Sequence, residues 1–126
     1  MITIFLEKSL ENMAVAEWAF ENGHYNACAN RAYYAMLQAA LAALANVGVT
    51  PKTDVINHGW VQGTFARELI NRRKIFPGMS SYLNDARFLR ETADYKQEML
   101  NQRKASQALR WARTMVEAIR KELEKE

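Results

Sequence analysis

The chain is predicted to be all-α, an up-and-down bundle of four to five helices. Three observations carry this. Apolar residues recur at steps of three and four through most of the 126 residues. No stretch of useful length alternates apolar and polar residues, as a half-buried strand would. One segment, Tyr25–Leu44, is apolar on nearly every side: between Ala32 and Ala45 its only polar side chains are Gln38 and the hydroxyls of Tyr33 and Tyr34. A helix of that kind belongs at the centre of a bundle or in a membrane. No run reaches the ~18 uninterrupted apolar residues of a membrane span, so the bundle is expected.

The first helix is expected from about Thr3 to Glu21. Leu6, Leu10, Met13, Ala16 and Phe20 fall on one face, and Asn22-Gly23 ends it. The second runs from about Tyr25 to Asn46, with Gly48 as its stop and Pro51 beyond. Nine alanines between Ala27 and Ala45 leave little side chain in the way of a neighbour, which places this helix in the middle. Residues 48–57 read as a loop. A third helix, about His58 to Arg72, carries Val61, Phe65 and Leu69 at i, i+4 and i+8. Pro77-Gly78 breaks the chain, and a hydroxyl of Ser80 or Ser81 is expected to cap the fourth helix. That helix is expected to reach about Leu100, with Ala86, Leu89 or Arg90, and Ala93 inward. In the fifth, about Gln102 to Glu124, the residues Ala105, Leu109, Ala112, Val116, Ile119 and Leu123 form a seam for a partner helix, within the chain or across a dimer. The length fits a single domain over 1–126.

Composition narrows the functional classes. Hydrophobic residues at 49% and charged residues at 25% are those of an ordinary soluble globule. The single cysteine, Cys28, excludes an intrachain disulfide and is expected to be a small core residue in a reducing compartment. The N-terminus lacks the pattern of a signal peptide. A cytoplasmic protein with no membrane association is the expectation. The net charge of +3 is unevenly spread: residues 67–90 carry six basic groups against two acidic, including Arg67, Arg72, Arg73, Lys74, Arg87 and Arg90. Such an excess can hold phosphate or RNA, although a solvated helix end and loop is the plainer reading. There is no glycine-rich phosphate loop, no Cys-x-x-Cys and no His-x-x-x-His, and His24 and His58 lie 34 residues apart. No metal or cofactor is expected. His24 is expected to be exposed. His58, at the start of the third helix, reads as structural more readily than catalytic.

What remains is polar groups set into apolar helices: Asn30, Arg31, Tyr33 and Tyr34 in the second, and Arg90, Asp94 and Tyr95 in the fourth. Arg90 and Asp94, four apart, share a helix face. If Asp94 faces inward, Arg31 is its obvious partner, and a bidentate bond would fix how the two helices meet. Tyr34 and Tyr95 could then bury their rings and bond through their hydroxyls. Two readings stay open. The cluster is a structural clamp of Asn30, Arg31 and Asp94, or it is a cationic pocket in which Arg31, Arg90, Tyr34 and Tyr95 hold a phosphate or nucleotide.

At these residues the chain resembles the HEPN domain superfamily of small prokaryotic all-α proteins. The segment ENGHYNACANRAYYAMLQAALAAL is similar to the run in which that family carries a Gly, a Tyr and then Asn/Ser-Arg-Ala-Tyr-Tyr-Ala. RETADY at 90–95 is similar to its Arg-x-x-Ala-Asp-Tyr motif, and the 48–52 turn followed by His58-Gly59 also fits. The resemblance implies a bundle that commonly forms homodimers and is often encoded beside a minimal nucleotidyltransferase as a toxin–antitoxin pair. It also implies, for catalytic members, metal-independent RNA cleavage by an Arg-x(4–6)-His motif, with Arg on the phosphate and His moving protons. This chain has no histidine after Arg90, and Asp94-Tyr95 stands near where one would be. The expectation is therefore a nucleotide- or RNA-binding regulatory member with no catalytic residues of its own. The alternatives are a ribonuclease toxin using Arg90 with Asp94, Tyr95 or a recruited His58, and a purely structural assembly module that docks a partner through the fifth-helix seam and Trp60 or Trp111.

Overall fold

A computed structural model describes residues 1–125. It contains helices α1 (Ile2–Glu21), α2 (Tyr25–Asn46), α3 (His58–Phe65), α4 (Tyr82–Tyr95) and α5 (Gln102–Leu123), with no strand among the described residues. α3 runs straight on into a wider π-helical stretch, Ala66–Arg72. α2 packs against each of the other four helices, and α5 also meets α1 and α4. The all-helical bundle is the expected class, with α2 at its centre. No helix of the described residues is long and apolar enough to cross a membrane.

Glycine punctuates the chain where a left-handed residue is required. Gly23, at φ +76°, lets the chain turn out of α1, where the His24 N–H donates to the Ala19 carbonyl at 2.8 Å. Gly48, at φ +82°, closes α2 in the same way. The cap of α3 is Asn57, whose Oδ1 accepts from the Trp60 N–H at 2.9 Å, and Asn101 caps α5 through Lys104 at 2.9 Å.

Three expectations need correction. The buried face of α1 is Ser9, Met13, Ala16 and Ala19, while Leu10 is 41% exposed. Three of these four residues, Ser9, Ala16 and Ala19, are small, as a close approach to the alanine-rich α2 favours. Ser9 Oγ donates to the Ala35 carbonyl across this contact at 2.6 Å. At α4 neither serine hydroxyl caps: Ser81 holds the N-cap position with no side-chain bond. α4 also ends at Tyr95 rather than near Leu100. Lys96 turns extended (φ −87°, ψ 157°), and the linker folds back so that Leu100 is buried with its N–H donated to Asn26 Oδ1 at 2.9 Å. A residue 74 positions away in sequence thus satisfies the backbone that a longer helix would have used.

The inward faces of α3 to α5 follow the expected spacing. Val61, Phe65, Leu69, Ala86, Leu89, Ala105, Leu109, Ala112, Val116 and Ile119 are all buried in one core with α2. Cys28 lies in that core as a small apolar group, and burial pushes its thiol up to about 11. A thiol so protonated is a poor nucleophile at neutral pH.

Candidate functional site

The polar residues of α2 and α4 meet at the end of the bundle where α2 begins and α4 ends. Arg90 is on the inner face of α4, its side chain only 8% exposed. Its guanidinium lies over three rings: Tyr33 at 5.5 Å, Tyr34 at 5.8 Å and Tyr95 at 5.6 Å. Its polar contacts are all long. Nη1 stands 3.5 Å from Asp94 Oδ2 and 3.5 Å from the Tyr95 hydroxyl, Nη2 stands 3.9 Å from Glu91, and Nε is buried with no partner. Charge-assisted bonds in proteins normally close to ~2.7–2.9 Å. Burial works against the Arg90 charge, but Tyr34, Tyr95 and Asp94 outweigh it and hold the guanidinium protonated.

Arg31 does not pair with Asp94, which corrects the expected bond. Asn30 stands between them. Its Nδ2 donates to Asp94 Oδ2 at 2.9 Å and its Oδ1 accepts from Arg31 Nε at 2.7 Å. Arg31 Nη1 donates to Asn12 Oδ1 at 3.1 Å, and Asn12 Nδ2 donates to Gln38 at 2.8 Å. The guanidinium also lies 5.4 Å from the Tyr34 ring centre. Among the described residues no carboxylate comes within ion-pairing distance of Arg31. A side-chain chain therefore runs from α1 through α2 to α4, and Asn30 is its junction. The single carboxamide bond from Asn30 draws Asp94 toward α2, with its Oδ2 still 3.5 Å from Arg90.

Tyr34 is half-buried, but Tyr95 is 74% exposed, so its ring is not buried as expected. It lies on the outer lip of the Arg90 site because α4 ends there and no following turn covers it.

Three further residues belong to this cluster. Tyr33 is fully buried beneath Arg90, and burial pushes its hydroxyl up to about 12. That hydroxyl stands 2.9 Å from His58 Nδ1, and the His58 ring is 5.5 Å from Tyr33 and 6.1 Å edge-on from Tyr34. His58 comes from the first turn of α3, which the loop over residues 48–57 returns to the head of α2. Burial, then the charges of Arg87 and Arg90, hold the imidazole below its ordinary value of 6.5, against Glu91. It is neutral at pH 7. Arg87, one turn before Arg90, lies 3.3 Å from Glu91 and lines a cleft of about 160 Å³ with Asn84, Phe88 and Glu91. Neither His58 nor Arg87 has a local sequence signal that ties it to α2. His24, as expected, is exposed, and it stacks on Trp18 at 5.5 Å.

The basic excess of residues 67–90 divides in two. Arg67, Arg72 and Arg73 gather around Glu68 at 3.4, 3.1 and 3.1 Å, which neutralises part of that charge. Arg87 and Arg90 form the other part: each keeps a buried Nε with no hydrogen-bond partner, and Arg90 is the more deeply buried, with every acceptor at 3.5 Å or more. A buried cation with neutral aromatic faces, a displaced carboxylate and a neutral imidazole at its edge can take an anion. It can also place a base beside that anion.

A family model described as "HEPN domain" matches residues 2–123. Two proteins of Methanocaldococcus jannaschii are similar to this chain. "Putative toxin MJ0142" is 29% identical over 90 residues, which is 71% of this chain and 58% of that protein. "Putative toxin MJ0605" is 29% identical over 122 residues, 97% of this chain and 88% of that protein. The chain thus spans little more than half of the first relative and most of the second.

Proposed function

This chain belongs to the HEPN domain family, and from that membership we propose that it is a toxin–antitoxin-type protein whose α2–α4 cluster holds a phosphate of RNA or of a nucleotide at Arg90. The names of both relatives support the toxin–antitoxin part. The observation that carries the phosphate part is the state of Arg90: nine-tenths buried, its Nε unpartnered and every acceptor at 3.5 Å or more. A phosphate oxygen offers the short, charge-assisted bonds that this guanidinium lacks in the free protein. Titration of the purified protein with short single-stranded RNA and with mononucleotides is expected to show saturable binding that Arg90→Ala weakens at least tenfold. Arg110→Ala, an exposed change on α5, should leave it intact. If neither RNA nor any nucleotide binds the wild-type protein, the phosphate reading is wrong.

A homodimer and a minimal nucleotidyltransferase complete this reading as partners. Phe88, 67% exposed beside Arg87 and Glu91, supports a contact between copies of α4, since a ring that open gains from burial. Light scattering should then give twice the chain mass for wild type and the chain mass for Phe88→Glu. Co-expression with a small nucleotidyltransferase should yield a complex that survives gel filtration.

A second reading, metal-independent RNA cleavage, is favoured by one observation: the position of His58. The family's histidine is absent from α4, yet a neutral imidazole reaches the Arg90 cluster from α3. With a phosphate on Arg90, His58 could take the proton of a 2′-hydroxyl as its oxygen forms a bond to phosphorus, while the bond from phosphorus to the 5′-oxygen breaks and that oxygen takes a proton from water. Cleavage in excess chelator, lost in His58→Gln with RNA binding retained, is the expected result. Intact RNA after incubation with wild type would remove this reading and leave the binding role.

A further inference from the structure

A second cleft lies on the other side of the first turn of α3. It measures about 290 Å³ and is lined by Pro51, Lys52, Thr53, Val55, Asn57 and Trp60. Its chemistry is specific. Trp60 is half-buried with one part of the indole packed on the core, which fixes the ring as a platform. Asn57 Oδ1 caps the Trp60 N–H at 2.9 Å, which orients the carboxamide and leaves its two amide hydrogens for another acceptor. Lys52 forms no ion pair among the described residues and is exposed. Thr53 Oγ1 donates to the Val55 carbonyl at 3.1 Å, which ties the loop opposite the indole.

We infer that this cleft is a base subsite for single-stranded RNA. The base stacks on Trp60 and accepts from Asn57 Nδ2, and Lys52 holds the phosphate that flanks it. The inference rests on the phosphate reading of the Arg90 site. An aromatic platform, an oriented carboxamide and an unpaired cation are the three parts from which single-strand sites are built. The volume sits at the low end of small-molecule pockets, ~300–1,000 Å³, and suits one nucleoside unit rather than a run of bases. Continuity with the phosphate site comes through α3. His58 and Trp60 are two apart in its first turn and so face opposite ways, His58 toward Tyr33 and Arg90, Trp60 toward the cleft. An RNA strand seated on Arg90 reaches Trp60 by crossing that single turn.

The test compares a labelled single-stranded oligonucleotide with inorganic pyrophosphate on wild type, Trp60→Leu, Trp60→Phe, Lys52→Ala and Arg90→Ala, each checked for helicity. Trp60→Leu should weaken the oligonucleotide about tenfold, the scale of one lost base stack, and leave pyrophosphate binding unchanged. Trp60→Phe should recover most of the loss. An oligonucleotide carrying one abasic position in each register should lose the same factor on wild type in a single register, and nothing further on Trp60→Leu. If Trp60→Leu binds the oligonucleotide as wild type does while Arg90→Ala does not, the cleft is not a base subsite and the Arg90 reading stands. If wild type binds neither ligand, both fall together.

Discussion

Asn30→Ala should weaken phosphate binding at Arg90 without touching the ligand. In the free protein Asn30 Nδ2 holds Asp94 at 2.9 Å, while Asp94 stays 3.5 Å from Arg90. Removing the carboxamide frees the carboxylate to close on the guanidinium at ~2.8 Å, the usual length of such a bond. With an effective dielectric constant of ~20, moving a unit pair from 3.5 Å to that distance gains about 1.2 kcal/mol. A ligand phosphate must then displace that tighter pair. At ~1.4 kcal/mol per tenfold, and with some of the gain lost to solvent around Asp94, affinity should fall roughly three- to sevenfold. Calorimetric titration with pyrophosphate at low, fixed salt resolves this. The decisive comparison is the double-mutant cycle with Asp94→Asn. In that background the carboxylate that Asn30 holds is gone, so Asn30→Ala should cost almost nothing. An equal loss in both backgrounds would refute the reasoning, because Asn30 would then act on the ligand or on the fold and not through Asp94.

Other consequences follow from single contacts. Cys28, buried with its thiol raised to about 11, should resist a disulfide reagent at pH 8 in the folded protein and react at once in denaturant; rapid labelling of the native protein would contradict its core placement. His58 titrates below its ordinary 6.5 in the folded chain, so on going down from pH 6.5 the unfolded chain takes up a proton that the folded chain resists. Stability should therefore be fully present above pH 6.5 and decline as the pH falls toward the folded value, and His58→Gln should flatten that slope in urea melts taken from pH 8 to pH 5. Ser9→Ala should cost about 1 kcal/mol through its bond to Ala35. Ser9→Leu should cost ~1–3 kcal/mol or more by overpacking the α1–α2 contact, and wild-type stability in that variant would show the contact to be loose.

The parts of this fold that local rules govern were legible. The extent of α2, the stops at Gly23 and Gly48, the seam of α5 and the break at Pro77-Gly78 follow from spacing and backbone freedom within a few residues. The parts set by distant partners were not. The rotation of α1 depends on how closely the alanines of α2 admit it, which favours Ser9 and Ala19 over Leu10. The end of α4 depends on Asn26, which receives the Leu100 N–H. The candidate site divides along the same line. Asn30, Arg31, Tyr34, Arg90, Asp94 and Tyr95 stand out as polar groups in apolar helices, and the structure gathers them. Their pairing is different, because a carboxamide one residue from Arg31 competes for the same carboxylate. His58 and Arg87 join only through tertiary placement: the loop over residues 48–57 swings α3 back across the head of α2, and nothing in the few residues around His58 encodes where that turn lands.

The contrast between the two arginines bears on whether the cluster is a clamp or a site. Arg31 is what a clamp residue should be: it bonds neutral carboxamides, that of Asn30 in its own helix at 2.7 Å and that of Asn12 at 3.1 Å, and the second ties α2 to α1. Arg90 is the reverse. Its charge is more deeply buried, its acceptors are farther away, and most of its surroundings are aromatic faces that attract a cation weakly, by ~0.5–2 kcal/mol each. Burying a guanidinium with so little return costs several kcal/mol that an apolar residue would not. Asp94 could offset that cost by moving less than 1 Å, and the Asn30 bond keeps it from doing so. An arrangement that spends a hydrogen bond to keep a nearby carboxylate off a buried arginine makes poor sense as packing. It makes good sense if the arginine is held ready for another anion, with the neutral imidazole of His58 waiting beside it.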